Sequence, residues 1–109
     1  MMIRSKMDIK ELKEFAKESE DKLSRYYNKT KEELIVFHAL KIGEETGELF
    51  EQVLNHHNIQ RKEKALDKGK IGEEIADVLL AGIVLAQSLN IDIEKELDDK
   101  MKKNRERIK

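Results

Sequence analysis

The sequence predicts an all-α protein of four helices. The chain of 109 residues contains no proline, and apolar side chains recur at three- and four-residue spacing in its helical segments. Residues that favour helix N-caps stand where three of the helices are expected to begin, namely Asp8, Thr30 and Asp92. The length predicts one domain, residues 1–109, and a hydrophobic content of 39% predicts a thin core in a lone chain.

The first two helices are predicted from their caps and their apolar periodicity. The first is expected to run from about Asp8 to about Tyr27. The second opens at Thr30, and Glu33 three residues later completes a capping-box pattern. We expect the second helix to end near His56.

Two adjacent rows of apolar or small residues predict a broad buried face on the second helix. The rows are Ile35, Ala39, Ile42, Thr46, Leu49 and Val53, and Val36, Leu40, Gly43, Gly47, Phe50 and Leu54. Each glycine lowers helix stability by about 1 kcal/mol relative to alanine. We therefore expect Gly43 and Gly47 to admit the close packing of another element.

The last two helices follow a polar segment, residues 57–69, which is predicted to be a loop. The third helix is expected from about Lys70 to about Leu89. The fourth is expected to begin at the cap Asp92 and to reach towards Ile108.

The third helix is apolar on nearly all sides between Ile75 and Ala86, apart from Asp77. A helix without a polar side must be covered on both sides, and in so short a chain the second cover is expected from another subunit. We expect a homodimer, with a homotetramer as the alternative. Asp77 is expected to be buried, and a buried carboxylate without a partner costs several kcal/mol or takes up a proton.

The composition argues against several classes of protein. Lys and Arg total 22 against 23 Asp and Glu, so the chain lacks the basic excess of nucleic-acid binding proteins. It has no cysteine, which excludes disulfides and thiolate metal sites. No segment has the length and pattern of a signal peptide or a membrane span. We expect a cytoplasmic protein that binds neither nucleic acid nor membrane.

Four acidic residues, in two pairs with i,i+3 spacing, form the candidate metal site. Glu45 and Glu48 lie on the second helix, and Glu74 and Asp77 lie on the third. Residues three apart share a helix face, with their Cβ atoms about 5–6 Å apart. If the two helices pack side by side, four carboxylates converge. Oxygen ligands, without cysteine or suitably spaced histidine, favour Mg²⁺ or Mn²⁺ over zinc.

An alternative interpretation of these acids needs no metal. Helical glutamates are commonly solvated, and Lys41–Glu45 and Lys70–Glu74 have the i,i+4 spacing of ordinary ion pairs. In this interpretation Asp77 is a neutral or hydrogen-bonded acid. The presence of both acidic pairs on neighbouring helices favours the metal interpretation.

The segments KIGEETGEL (41–49) and EEIADVLL (73–80) resemble the MazG-like nucleotide pyrophosphohydrolases of the all-α NTP pyrophosphatase superfamily. The mark of that family is EExxE, a variable spacer and ExxD. In this sequence the motif residues are Glu44, Glu45, Glu48, Glu74 and Asp77. The resemblance covers roughly residues 30–107 and implies a four-helix MazG-like bundle.

The resemblance also implies a reaction and a ligand set. Glu45, Glu48, Glu74 and Asp77 would be the Mg²⁺ ligands, with Mn²⁺ as the alternative ion. The substrate would be an NTP or dNTP, hydrolysed to the monophosphate and pyrophosphate, with cleaning of the nucleotide pool as the expected role. An acidic cluster needs a metal to bind the anionic triphosphate. Glu44, or another site carboxylate such as Glu45, is the candidate that orients the attacking water.

Other residues are candidates for contact with the substrate. Relatives often carry a Lys/Asn/Arg run in the last helix, and Lys100 and Asn104 share a face there. The alternative is a solvated basic helix end that interacts favourably with the helix dipole. Phe37 and His38 are weaker candidates for a base pocket, and for His38 a packed or surface side chain is the preferred interpretation.

Three other functions stay open at this point. Phosphoribosyl-ATP pyrophosphohydrolase has similar motifs, but the chain lacks the aromatic–histidine pair that such enzymes often carry after the aspartate. A di-iron carboxylate bundle needs a histidine three residues after a glutamate, and the sequence has none. A non-catalytic helical binding protein would use its apolar faces to dock a partner.

Overall fold

The computed structural model describes residues 7–56 and 67–109, and all the regular structure in those two ranges is helical. The elements are α1 (Ile9–Tyr27), α2 (Lys31–His56), α3 (Lys68–Ser88) and α4 (Ile93–Arg107). The predicted all-α class with four helices is confirmed.

The first two helices begin where side chains accept hydrogen bonds from free backbone N–H groups. Asp8 Oδ1 accepts from the N–H of Glu11 at 2.9 Å. Thr30 Oγ1 accepts from the N–H of Glu33 at 3.2 Å, and Glu33 Oε1 accepts from the N–H of Thr30 at 3.0 Å. This reciprocal pair is the predicted capping box, and both predicted helix starts are confirmed.

The third helix begins at Lys68 rather than at Lys70. The physical reason is Asp67, whose Oδ1 accepts from the N–H of Lys70 at 3.1 Å and caps the helix. The predicted loop therefore ends earlier than expected, and its other part, residues 57–66, lies outside the described residues. The predicted start of α4 is confirmed, because Asp92 caps it.

Two asparagines end α1 and α3 in the left-handed conformation. Asn28 has a φ of 49° and Asn90 a φ of 55°. Asparagine adopts this conformation more readily than most residues with a side chain, so it suits the residue at which a helix stops. The observed helix ends, Tyr27 and Ser88, agree with the ends predicted near Tyr27 and Leu89.

The helix α3 is the centre of the packing. It makes its most extensive contact with α2, its next with α1 and a slight one with α4. The helices α1 and α2 touch each other only slightly. An ion pair between Lys13 and Glu94, 3.8 Å long, joins α1 to the start of α4. Among the described residues, the buried apolar side chains are few, as the composition predicts: Ala16, Leu34, Val84 and Ala86.

The predicted broad buried face of α2 is wrong for one of its two rows. The row that begins at Ile35 is partly buried, except for Ala39. The other row is exposed, and we call it the α2 outer face: Val36, Leu40, Gly43, Gly47, Phe50 and Leu54. A helix that packs on its neighbours through one side leaves the opposite side open, and this row lies opposite the buried Leu34 and His38.

The two glycines of the α2 outer face have open space above them. A Cβ atom placed on Gly43 or Gly47 would meet no other atom within 4 Å outside the local helix backbone. The part of the chain that the structure describes therefore packs no element against them. The predicted close packing of another element on these glycines stays a prediction.

The two halves of α3 differ in how well they are covered. Every residue from Leu80 to Ser88 is at least partly buried. In the first half, the residues at least partly buried are Ile71, Glu74 and Val78, which share one face. Asp77 lies off that face and is exposed, so the prediction that it is buried is wrong for a single chain.

A single chain is more open than a closed domain of this size. The radius of gyration is 17.1 Å, whereas a compact domain of this length has about 13 Å. The accessible surface is 9322 Å², against about 6300 Å² for a folded monomer of 12.8 kDa. Among the helices in residues 7–56 and 67–109, none is long and apolar enough to cross a membrane.

Candidate metal centre

The packing of α2 on α3 brings three of the four predicted ligands together. Glu45, Glu48 and Glu74 each offer one carboxylate oxygen, and these oxygens all lie within 4.8 Å of one another. Glu74 reaches the group because it stands on the partly buried face of α3 with Ile71 and Val78. We call the three glutamates the carboxylate cluster.

Asp77 lies outside the carboxylate cluster. Its side chain is exposed, but its negative charge is close enough to contribute to the raised pKa of Glu74. Its role as a fourth ligand stays a prediction.

Glu45 is the most buried acid of the cluster, with a relative exposure of 7%. Its Oε2 is buried and has no hydrogen-bond partner among the described residues, and the same holds for Oε2 of Glu74. A buried charged oxygen without a partner costs free energy, and a bound cation removes that cost. Clustered carboxylate oxygens are the ligands that Mg²⁺ and Mn²⁺ prefer, so these residues fit such an ion.

The electrostatics of Glu74 also favour a bound cation. Burial raises the pKa of its carboxyl group, and the negative charges of Glu48, Glu45 and Asp77 raise it further. The cluster thus disfavours its own full ionisation, and a divalent cation would reverse that preference.

Lys41 is the cation beside this cluster. Its Nζ lies 3.2 Å from Glu44 Oε1 and 3.3 Å from Glu45 Oε1, and these hydrogen bonds raise the pKa of Lys41. The ion pair Lys41–Glu45 of the metal-free interpretation is therefore present. The other ion pair of the metal-free interpretation, Lys70–Glu74, is absent, because no cation among the described residues pairs with Glu74. Glu44, the candidate for orienting water, is exposed at the edge of the cluster.

The two candidate substrate contacts lie on α4. Lys100 and Asn104 are exposed. Within the described ranges, no hydrogen bond or ion pair joins either residue to the carboxylates. Their role in binding phosphate stays a prediction.

His38 is a packed histidine, as the sequence favours. It is 4% exposed, its Nε2 has no hydrogen-bond partner among the described residues, and the ring of Phe37 lies edge-on to it at 5.7 Å. Burial lowers the pKa of the imidazole, and the negative charge of Glu20 partly opposes this. Phe37 also lines a small apolar cavity of about 140 Å³ with Tyr27, so its role at a base stays a prediction.

The buried acid is Glu45 rather than the predicted Asp77, and the sequence carries a signal for it. Glu45 follows Leu34 by eleven residues and His38 by seven, so the three residues share one face of α2. That face is the buried one. Tracing it from Leu34 would have selected Glu45 over Asp77.

Comparison with known proteins agrees with this site. A family model described as the MazG-like family matches residues 36–109. No curated protein and no solved structure matches the chain. The matched residues make up more than half of the chain and include the whole carboxylate cluster. The chain therefore belongs to the MazG-like family.

Proposed function

We propose that this chain is an Mg²⁺-dependent pyrophosphohydrolase that converts a nucleoside triphosphate, NTP or dNTP, to the monophosphate and pyrophosphate in the cytoplasm. Membership of the MazG-like family indicates a nucleotide pyrophosphohydrolase-type function. The observation that carries the finer proposal is the carboxylate cluster, whose oxygens lie within 4.8 Å of one another. Two of its carboxylates each have a buried oxygen without a hydrogen-bond partner in the part of the chain that the structure describes.

The residues of the site have distinct proposed roles. Glu45, Glu48 and Glu74 hold the ion, and Asp77 is the proposed fourth ligand. When bound, the ion supplies the positive charge that an acidic surface needs to bind a triphosphate and to stabilise charge at the α-phosphorus. Glu44 is proposed to orient the water whose oxygen attacks that phosphorus as the bond to pyrophosphate breaks.

Residues on α4 are proposed to contact the substrate. Lys100 and Asn104 carry hydrogen-bond donors on one exposed face of that helix. Donors of this kind suit phosphate oxygens. These two residues are the proposed phosphate contacts.

The proposal is tested by a substrate panel. The full chain is incubated with Mg²⁺ and each NTP, each dNTP and phosphoribosyl-ATP, and released pyrophosphate is measured. We expect turnover of at least one nucleoside triphosphate. Turnover of phosphoribosyl-ATP alone would favour the related histidine-pathway enzyme, and no turnover at all would favour a non-catalytic binding protein.

Variants then test the site itself. Glu45→Gln and Asp77→Asn are expected to lower turnover by about 100-fold or more, because each removes a charged ligand. Glu51→Gln is the control, since Glu51 is an exposed acid of the same helix outside the cluster. Helix content is checked by circular dichroism. Near wild-type turnover in Glu45→Gln would contradict the proposed site.

We also propose that two copies of the chain pair through the α2 outer face. Its large side chains are exposed in the single chain, Leu40 at 69%, and its glycines leave room for close helix contact. The accessible surface exceeds that of a folded monomer of this mass by about 3000 Å² per chain, and a large homodimer interface would cover part of that excess. A tetramer of paired dimers is the alternative assembly.

A further inference from the structure

The negative charge of the cluster has one cationic partner within the described ranges. Lys41 lies one helical turn before Glu45, and its ammonium contacts Glu45 and Glu44. No other lysine or arginine there pairs with an acid of the EExxE or ExxD motif. Lys41 is therefore the residue within those ranges whose positive charge directly offsets the negative charge of the cluster.

The two oxygens of Glu45 have different surroundings. Oε1 forms an ion pair with Lys41 Nζ at 3.3 Å, whereas Oε2 is buried without a partner among the described residues. The Lys41 side chain is half-exposed and the Glu45 side chain is nearly buried, so the ammonium lies at the rim of the cluster. A carboxylate whose one oxygen is held at the rim keeps its other oxygen directed inward.

We propose that Lys41 is a positioning residue for metal binding. Its ammonium holds Oε1 of Glu45 and leaves Oε2 as the oxygen that binds the divalent ion. The inference rests on the proposed metal-dependent function. Outer partners of this kind fix the orientation of a ligand, and their removal typically lowers metal affinity by about 10–100-fold.

Repulsion between the ammonium and the metal acts in the opposite direction. If repulsion dominated, removal of Lys41 would strengthen metal binding. Two observations favour positioning. The ammonium also contacts the carboxylate of Glu44, and this negative charge offsets the charge of the ammonium. The Lys41 side chain is half-exposed, so water screens the ammonium from the metal. On removal of Lys41, positioning therefore predicts weaker metal binding, whereas repulsion predicts stronger metal binding.

The test is a titration of the full chain with Mn²⁺, in which free Mn²⁺ is followed by electron paramagnetic resonance. Lys41→Met is expected to weaken binding by about tenfold or more. Lys41→Arg is expected to keep most of the affinity, because a guanidinium can donate to the same oxygen. Lys95→Met is the control, since Lys95 forms a matching i,i+4 ion pair with Asp99 at 3.4 Å on α4.

A second measurement separates positioning from a loss of fold. In Lys41→Met, the Mg²⁺ concentration that gives half-maximal turnover is expected to rise by the same factor as the Mn²⁺ dissociation constant. A fall in kcat at saturating Mg²⁺ would report the contact of Lys41 with Glu44, the proposed water-orienting residue, and is separate from the change in metal affinity. Circular dichroism is expected to show an unchanged helix content, because the Lys41 side chain is half-exposed.

The outcomes distinguish this inference from the proposed function. If the wild-type chain binds no Mn²⁺, the proposed function fails and this inference fails with it. If the wild-type chain binds Mn²⁺ and Lys41→Met binds equally or more tightly, the inference alone is overturned. An equal loss in Lys41→Met and Lys41→Arg also overturns it.

Discussion

Glu74 carries an electrostatic cost in the metal-free protein. Burial and three neighbouring negative charges raise the pKa of its carboxyl group above the ordinary glutamate value. The folded chain therefore holds this proton more tightly than the unfolded chain does. The stability that this gives is fully present below the ordinary pKa and is lost as pH rises through the raised pKa.

Replacing Glu74 with glutamine is expected to remove this pH dependence. In EDTA, the wild type should lose free energy of unfolding as pH rises from the ordinary glutamate pKa through the raised one, and Glu74→Gln should not lose this contribution. The stability of the variant relative to the wild type should therefore increase over that range. Urea denaturation at a series of pH values measures it. Addition of Mg²⁺ should stabilise the wild type more than the variant. A difference that does not vary with pH would contradict this account.

His38 is expected to produce the opposite pH dependence. Burial lowers the pKa of its imidazole, so its contribution to stability is present above the ordinary histidine pKa and is lost as pH falls through the lowered one. Because glutamine does not titrate, His38→Gln should lose less stability over that range. Thermal unfolding of both proteins across the range checks this, and parallel pH curves would contradict it.

Asp77 and Glu45 show what a residue-level sequence argument can predict at the site. The sequence identified both acidic pairs, because i,i+3 spacing is a local property. It did not identify which acid is buried, because burial depends on which helix faces meet. Asp77 has the more apolar neighbours in sequence yet is exposed, and Glu45 is 7% exposed.

At the scale of the helices, the caps control where each element begins. The capping box at the start of α2 satisfies two backbone N–H groups through reciprocal hydrogen bonds. Hydrogen bonds with the backbone and then the side chain of Thr30 lower the pKa of Glu33. We expect Thr30→Ala to lower the free energy of unfolding by about 1 kcal/mol.

The matched control for this change is Thr30→Ser, which keeps the hydroxyl group that caps the helix. Urea denaturation of the three proteins measures the effect. Equal loss in the alanine and serine variants would show that the hydroxyl hydrogen bond is not the cause.

Helix ends were predicted well because caps are local, and helix faces were predicted less well because packing is not. The starts of α1, α2 and α4 follow from side chains within three residues. The start of α3 was missed by a short distance because Asp67, its cap, stands inside a polar segment that resembles a loop. Both apolar rows of α2 have helical spacing, and spacing alone cannot show that one chain covers only one row.

At the scale of the whole molecule, the single chain leaves apolar surface uncovered, and α2 and α3 carry much of it. The α2 outer face is exposed, and so are Ile75 and Leu79 in the first half of α3. The sequence predicted that α3 needs a second cover, but it did not predict that α2 needs one. A second copy of the chain is the proposed cover.

The proposed homodimer predicts the effect of a charge on the α2 outer face. Leu40→Glu should convert a dimer into a monomer at micromolar concentration, because it would bury an unpaired charge in the interface. Tyr26→Glu is the control, since Tyr26 is an exposed aromatic residue on α1. Sedimentation equilibrium measures the mass. A monomeric wild type, or a dimeric Leu40→Glu, would contradict the proposal.

The central claim is that the carboxylate cluster between α2 and α3 holds a divalent cation. The most direct measurement is X-ray diffraction from crystals grown with Mn²⁺ and a non-hydrolysable triphosphate, with data collected at the manganese absorption edge. We expect an anomalous peak within bonding distance of oxygens of Glu45, Glu48 and Glu74. Carboxylates turned into solvent, or a lysine ammonium in place of the peak, would contradict it.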